Sequence, residues 1–118
     1  MSIKLQRYTL ATSSILFLES HRNLLRLMQS ETISEDMYFD LLECIDQDYR
    51  NFIVKNVDAD VVLSKAYPVA MLPKSLDLIH LRTCLWFGRT FPDCSFLTFD
   101  KKQARAAKQM GLKLFDEF

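Results

Sequence analysis

At 118 residues the chain is long enough for one domain with a hydrophobic core and too short for two. Hydrophobic residues make up 49% and charged residues 25% of the sequence, a composition that excludes an intrinsically disordered chain. The 15 basic and 15 acidic residues cancel, so no overall field draws the chain to nucleic acid or to an anionic membrane, and any basic surface must be local.

The cysteines and the N-terminus predict a cytoplasmic protein. Cys44, Cys84 and Cys94 are odd in number and lack C-x-x-C spacing, which favours reduced thiols over a disulfide framework or a zinc site. The apolar stretch over residues 8–18 is interrupted by hydroxyl residues and followed directly by Glu19, so we expect mature structure rather than a signal peptide. No stretch approaches the ~20 apolar residues that a membrane span needs.

The chain begins with a predicted strand and helix. Alternating side chains predict a strand over residues 7–12, and a helix follows over residues 14–29. On a helical wheel, Glu19, Arg22 and Arg26 gather on one side of this helix, opposite a broad apolar face. The apolar positions are Leu16, Phe17, Leu18, Leu24, Leu25, Leu27 and Met28.

The second predicted helix has the strongest amphipathic pattern in the chain. It opens with a capping box, in which Thr32 caps the first turn and Glu35 reaches back to it. Apolar side chains then recur every three or four residues, which predicts one buried face. These positions are Tyr38, Leu41, Leu42, Ile45, Tyr49 and Phe52.

Two further helices are predicted before the C-terminal unit. The third covers residues 58–67, where a proline ends it, and residues 69–73 form a connector. The fourth, over residues 75–87, is apolar nearly all round and should be buried. Ser75 is its expected cap and Gly88 its expected end.

The last stretch predicts a strand, a capping acid and a helix. Residues 96–99 form a short apolar run, Asp100 suits a helix N-cap, and Gly111 suits the position just past the helix end. A final strand is predicted over residues 112–115. Because strands and helices alternate, the predicted class is α/β with a mostly parallel sheet flanked by helices, in a single domain.

Three carboxylates stand out as candidate metal ligands: Glu19, Asp77 and Asp100. Asp77 lies in an otherwise apolar helix, where an unpaired charge is costly. A hard divalent cation would satisfy all three carboxylates and would supply what phosphodiester hydrolysis needs, a polarised phosphoryl oxygen and an activated water.

Each candidate also has a structural interpretation that the sequence leaves open. Glu19 pairs with a neighbour on a solvated face, Asp77 complements the helix dipole, and Asp100 only caps a helix. His80 is interpreted as a core or orienting histidine rather than a ligand. Cys84 is interpreted as a core residue, and so is Trp86.

The order of motifs resembles a PIN domain, and within that family the VapC-like toxin ribonucleases of toxin–antitoxin pairs. The matching segments are S-x-x-x-x-E at residues 14–19, L-D-x-I-H-L at residues 76–81, and L-T-F-D-K-x-x-A-x-A-A at residues 97–107. The likeness extends over most of the chain from about Tyr8.

The resemblance implies a function and a set of site residues. Proteins of this family bind Mg²⁺ or Mn²⁺ through an acidic cluster and cut single-stranded RNA, and a cognate antitoxin protein binds them. By position, Glu19, Asp77 and Asp100 match three of the metal-binding, catalytic acids, and Thr98 matches a threonine near the metal. The expected phosphate-binding residues are Arg22, Arg26, Lys101 and Lys102.

One part of the family pattern is absent from this chain. The family opens with a central strand that carries a metal-binding Asp, and nothing before Tyr8 fits it. We therefore expect an N-terminally truncated PIN-like fold that lacks about one βα unit. Its exposed strand edge would favour pairing with an antitoxin or with a second copy in a homodimer.

The sequence leaves three hypotheses. The first is a metal-dependent endoribonuclease, and the second is a catalytically impaired remnant that acts as a protein-binding module. The third is an unrelated α/β module in which the acids only cap helices.

Overall fold

The computed structural model of the protein describes residues 8–63 and 74–116. Within these ranges it has a mixed α/β architecture, which confirms the coarse class. The chain divides into two compact units, Met1–Asn56 and Val57–Phe118. The elements are β1 (Ala11–Ser13), α1 (Ile15–Gln29), α2 (Glu35–Tyr49), β2 (Ile53–Lys55), α3 (Ala59–Val62), α4 (Ser75–Thr90) and α5 (Lys101–Gln109).

A parallel pair of strands, β1 and β2, anchors the first unit. Ala11 pairs with Ile53, and the two helices between the strands provide the crossover that parallel pairing requires. The predicted strand over residues 7–12 is thus shorter and lies later in the chain, and its first residue falls outside the described residues. β2 was not predicted, because Phe52 extends the helical spacing of α2 to the residue just before the strand.

The helix predicted over residues 14–29 is confirmed to within one residue as α1, but its buried face is narrower than expected. Leu24 is buried, whereas Leu18 and Leu25 are 63% and 40% exposed. On the wheel these two leucines lie at the margin next to Arg22, so the solvated side begins there.

The capping residue of α2 is Ser34 and not Thr32, so the predicted capping box is wrong. Ser34 Oγ accepts from the amide of Met37 at 3.1 Å. Thr32 instead completes the end of α1, where its amide donates to the Leu27 carbonyl at 2.9 Å. Because Glu31 takes a positive φ of 60° at that turn, the amide of Thr32 bonds to the preceding helix rather than starting α2.

An aromatic cluster joins the helices of the first unit to β1. The ring of Phe17 lies 4.8 Å from Tyr49 in an edge-on arrangement and 4.1 Å from His21. The hydroxyl of Tyr49 donates to the buried Ser13 carbonyl at 2.8 Å. Burial raises the pKa of Tyr49, and a hydrogen bond with the backbone of Phe17 only partly offsets that rise.

In the second unit α4 is longer than predicted. It begins after Lys74 rather than after Ser75 and continues through Gly88 to Thr90. Gly88 adopts no positive φ, and the capacity of glycine for left-handed backbone is not used there. The prediction that the helix is buried holds in part, because it buries four residues while Leu76 near its start is 41% exposed. The buried residues are Leu81, Thr83, Cys84 and Phe87.

The core of the second unit lies where α5 packs against α4. Ala106 and Ala107 of α5 and its C-cap Met110 pack with Leu81 of α4. The side chains that close this core are Leu85, Phe96, Leu112 and Leu114. The predicted strands over residues 96–99 and 112–115 reduce to one parallel bridge, between Phe96 and Leu114.

The C-terminal end of α5 is a Schellman turn, as the glycine predicted. Gly111 has a φ of 81°, its amide donates to the Lys108 carbonyl, and the amide of Leu112 donates to the Ala107 carbonyl. This turn brings Leu112 and Leu114 back onto the core. The third predicted helix is present as the short α3, which ends at Val62. Residues 64–67 of the predicted range and the connector at residues 69–73 lie outside the described residues.

Candidate functional site

Asp100 is the N-cap of α5, as its sequence context predicts. Its Oδ1 accepts from the amide of Lys102 at 2.8 Å and from the amide of Gln103 at 3.2 Å. Among the described residues no hydrogen bond reaches the other carboxylate oxygen, Oδ2, and the side chain is exposed. One oxygen of Asp100 therefore holds the helix while the second faces outward.

Thr98 belongs to the same hydrogen-bonded turn. Its hydroxyl accepts from the amide of Asp100 at 3.1 Å and donates to Gln103 Oε1 at 2.7 Å. These contacts fix the backbone just before α5 and thereby fix the direction of the Asp100 side chain. Lys101 and Lys102 follow immediately and are both exposed. The structure thus brings together Thr98, Asp100 and the two lysines.

Asp77 lies in the first turn of α4, in the same unit as Asp100. Lys74, the N-cap of that helix, makes no side-chain capping bond, so a carboxylate in the first turn complements the dipole. The Asp77 side chain is half-buried, and within the described part of the chain no hydrogen bond or ion pair reaches it. A half-buried carboxylate without a partner among the described residues is a candidate ligand for an external cation.

Glu19 lies on α1 in the first unit, together with Arg22 and Arg26. Glu19 is half-buried and takes part in an interaction within the protein. The two arginines are exposed and follow it at three and seven residues, so they share its side of the helix. This acid and these cations therefore form one polar face of α1.

The donor chemistry of Glu19, Asp77 and Asp100 fits a hard divalent cation, because carboxylate oxygens are the ligands that Mg²⁺ and Mn²⁺ favour. Over residues 8–63 and 74–116, no group of three or more His, Cys, Asp or Glu side chains is arranged so that it could hold a metal ion. These residues therefore match a metal site in the type of ligand and in the outward oxygen of Asp100. Within the described ranges they do not form a cluster of three ligands.

Sequence reasoning missed part of the basic surface of α5. Arg105 and Lys108 are exposed like Lys101 and follow it at four and seven residues, which places all three on one stripe of the helix. Lys102 lies beside this stripe. The helical spacing of these cations would have identified the surface, had it been applied to charged as well as apolar positions.

A second polar contact that the sequence did not indicate lies in the first unit. His21 Nε2 on α1 and Asp46 Oδ1 on α2 are 3.1 Å apart. The His21 ring packs on Phe17 at the edge of the aromatic cluster. Residues 25 positions apart carry no local signal of such a pair, so only the packing of α1 on α2 identifies it.

The three cysteines, all within the described residues, carry free thiols. Burial in the core, with a smaller effect from the neighbouring Cys94, raises the pKa of the Cys84 thiol to about 12. A thiol with so high a pKa is a poor nucleophile at neutral pH, because the thiolate is the reactive form. The interpretation of Cys84 as a core residue is therefore consistent with its position.

No family model, curated protein or solved structure matches this chain. Its function is therefore inferred from the residues and their geometry. The described residues provide an acid with an outward oxygen at the start of α5, a half-buried acid at the start of α4, and exposed cations next to the first of these.

Proposed function

We propose that this protein is a Mg²⁺- or Mn²⁺-dependent endoribonuclease of the PIN type that hydrolyses RNA phosphodiesters, and that it is the toxin of a toxin–antitoxin pair. The observation that carries the proposal is the N-terminal end of α5, where the outward oxygen of Asp100 adjoins the exposed Lys101 and Lys102. The half-buried carboxylate of Asp77, which no described residue contacts through a hydrogen bond or ion pair, supports it.

Asp77 and Asp100, which lie in the same unit, are the residues that would hold the ion. When bound, the ion supplies a polarised phosphoryl oxygen and a water activated for attack at phosphorus. Thr98 positions Asp100, because its hydroxyl accepts a hydrogen bond from the Asp100 backbone amide. The exposed Lys101 and Lys102, next to Asp100, would bind phosphates of the RNA.

Cleavage of single-stranded RNA in the presence of Mn²⁺ tests the proposal. We expect the wild-type protein to cut the RNA and Asp77→Asn to lose at least about a hundredfold in rate, since a charged ligand becomes a neutral one. Asp93→Asn is the matched control, because Asp93 is an exposed acid of the same unit that has no proposed role. Equal rates for wild type and Asp77→Asn, or no cleavage by the wild type, would refute the ribonuclease proposal.

A second candidate function, a protein-binding module, is favoured by apolar side chains at the surface of the first unit. Met37 and Phe39 on α2 are 49% and 56% exposed, and Ile53 on β2 is 46% exposed. Exposed apolar residues on a helix and on a strand of a two-stranded sheet suit an antitoxin or a second copy of the chain. Light scattering of the purified protein distinguishes these outcomes: a dimer supports self-association, and a monomer that binds no partner counts against the module.

A further inference from the structure

The surface of α5 and the residues after it carry an unusual concentration of positive charge. Between positions 101 and 113 the sequence holds five basic residues and no acidic one, although the whole chain is neutral. The basic residues are Lys101, Lys102, Arg105, Lys108 and Lys113, and every one of them is exposed. We call the four that lie on the helix, Lys101, Lys102, Arg105 and Lys108, the basic face of α5.

The basic face lies on the side of α5 away from the core. Lys101, Arg105 and Lys108 fall within an arc of about 60° on the helix, and Lys102 borders it. The side chains that face the core are Ala106, Ala107 and Met110, each buried. The orientation of the cations is therefore fixed by the packing of the opposite face of the helix.

The fold alone gives no reason for this arrangement. Cations in the first turn oppose the helix dipole, and like charges four residues apart repel each other. Within the described part of the chain, no carboxylate lies within ion-pair distance of any cation of the basic face. No described carboxylate thus offsets this repulsion through an ion pair, whereas an external polyanion would offset it.

The bound anion would contact side chains along the helix and not the free amides at its N-terminus. Asp100 already accepts from the amides of Lys102 and Gln103. From Lys101 to Lys108 the stripe extends over about 10 Å, because each helical residue adds about 1.5 Å. A row of this length suits several consecutive charges of a chain-like anion.

An aromatic side chain adjoins the start of the basic face. Phe99 precedes the cap Asp100, and its side chain is 84% exposed. An exposed ring beside a row of cations is the combination that binds single-stranded nucleic acids, in which bases stack on the ring while phosphates meet the cations. The exposed residues of the helix itself are basic or amide side chains, with no apolar group to insert into a membrane.

We propose that the basic face of α5 and Phe99 form a binding track for single-stranded RNA, which holds the backbone independently of base sequence. The choice of RNA over DNA rests on the proposed ribonuclease function. The track itself follows from charge, exposure and helix geometry. It adds Arg105, Lys108 and Phe99 to the residues that contact the substrate.

Fluorescence anisotropy with a labelled oligouridine, in EDTA and at several KCl concentrations, tests the track without cleavage. Four phosphate contacts give a slope of log affinity against log salt of about −2.8, at −0.7 per contact. Raising KCl from 50 to 200 mM should then weaken binding about 50-fold. The triple variant K101Q/R105Q/K108Q should retain a slope of about −0.7 and change less than about threefold over the same range.

The control is K74Q/R50Q/R89Q, which removes three exposed cations elsewhere and changes the net charge equally. It should bind like the wild type. Both triple variants should show wild-type circular dichroism, since Gln and Lys have similar helix propensities. A wild-type slope in the α5 variant, or an equal loss in the control, would overturn the track.

Phe99→Leu should weaken oligouridine binding about 5- to 100-fold at one salt concentration without changing the slope, because stacking is not electrostatic. If this variant binds like the wild type and polyglutamate competes as well as RNA does, the basic face binds acidic protein surfaces, and the RNA track is refuted. The two proposals fail separately. Binding through α5 without any cleavage in Mn²⁺ refutes only the ribonuclease. Cleavage that is insensitive to R105Q/K108Q, which leaves Lys101 and Lys102 in place, refutes only the track.

Discussion

Replacing Asp100 by alanine and, separately, by asparagine distinguishes its role as a helix cap from its proposed role as a metal ligand. Alanine removes both hydrogen bonds from Oδ1, to the amides of Lys102 and Gln103. We expect Asp100→Ala to lower the free energy of unfolding by about 1 kcal/mol, the usual cost of losing an N-cap. Asparagine caps about as well as aspartate, so Asp100→Asn should cost less than about 0.5 kcal/mol.

Urea denaturation followed by the fluorescence of Trp86 measures this difference. Trp86 is the one tryptophan of the chain and lies on α4, in the unit that contains α5. With a urea dependence of about 2 kcal/mol per M, the alanine variant should unfold at about 0.5 M lower urea. An alanine midpoint equal to that of the wild type would show that the cap contributes nothing.

The functional test uses the same two variants. Both should lose Mn²⁺-dependent RNA cleavage, because neither retains the negative charge that a divalent cation needs. The asparagine variant is decisive, since it keeps the fold and removes only the charge. If Asp100→Asn cleaves RNA at the wild-type rate, Asp100 is a cap and not a ligand.

Three further measurements test the packing. Gly111→Ala should lower the free energy of unfolding by about 1 kcal/mol because the φ of Gly111 is 81°. Gly88→Ala should raise it by about 0.5–1 kcal/mol because Gly88 is helical. A change of the same sign for both variants in urea denaturation would contradict this. Tyr49→Phe should cost about 1 kcal/mol at neutral pH. Burial raises the Tyr49 pKa above its usual 10, so the wild type should lose stability faster than Tyr49→Phe as the pH rises above 10. Parallel plots of unfolding free energy against pH for the two proteins would refute that. At pH 8 the Cys84 thiolate should be roughly a thousandfold rarer than that of an ordinary thiol, so iodoacetamide should label the exposed Cys44 first, as mass spectrometry would show.

The elements that the sequence predicted well are those whose signals are local. The cap Asp100 and the left-handed Gly111 act within a few residues of themselves, and both ends of α5 are as expected. The same is true of α1, whose length follows from its apolar spacing. Local signals suffice where the backbone hydrogen bonds that they determine are local too.

The errors arise where a residue has two compatible local roles and packing selects between them. Thr32 has the sequence context of a cap, yet the turn at Glu31 uses its backbone to end α1, and Ser34 becomes the cap. Gly88 resembles a helix end, but α4 buries Phe87 and continues to Thr90. In both cases a tertiary contact or a neighbouring turn overrides a plausible local signal.

The candidate site was predictable only as a set of residue types. Sequence position identified Asp100 and Thr98, and their shared turn is a local feature that the spacing of two residues allows. Periodicity holds no information on long-range packing, so it could not show that the described residues contain no gathered cluster of three such side chains. The basic face of α5 was predictable in part. Helical spacing predicts the stripe of cations, but only the burial of Ala106 and Ala107 shows which side of the helix is solvated.

Titration calorimetry with Mn²⁺ tests the central proposal, that Asp77 and Asp100 bind a divalent cation, most directly. We expect the wild-type protein to bind one Mn²⁺ per chain and Asp77→Asn to bind it at least about tenfold more weakly, while Asp93→Asn binds normally. The readout requires neither RNA nor catalysis, so it isolates the metal site. Absence of Mn²⁺ binding by the wild type, or equal affinity in Asp77→Asn, would contradict the account and would favour an α/β module in which the acids only cap helices.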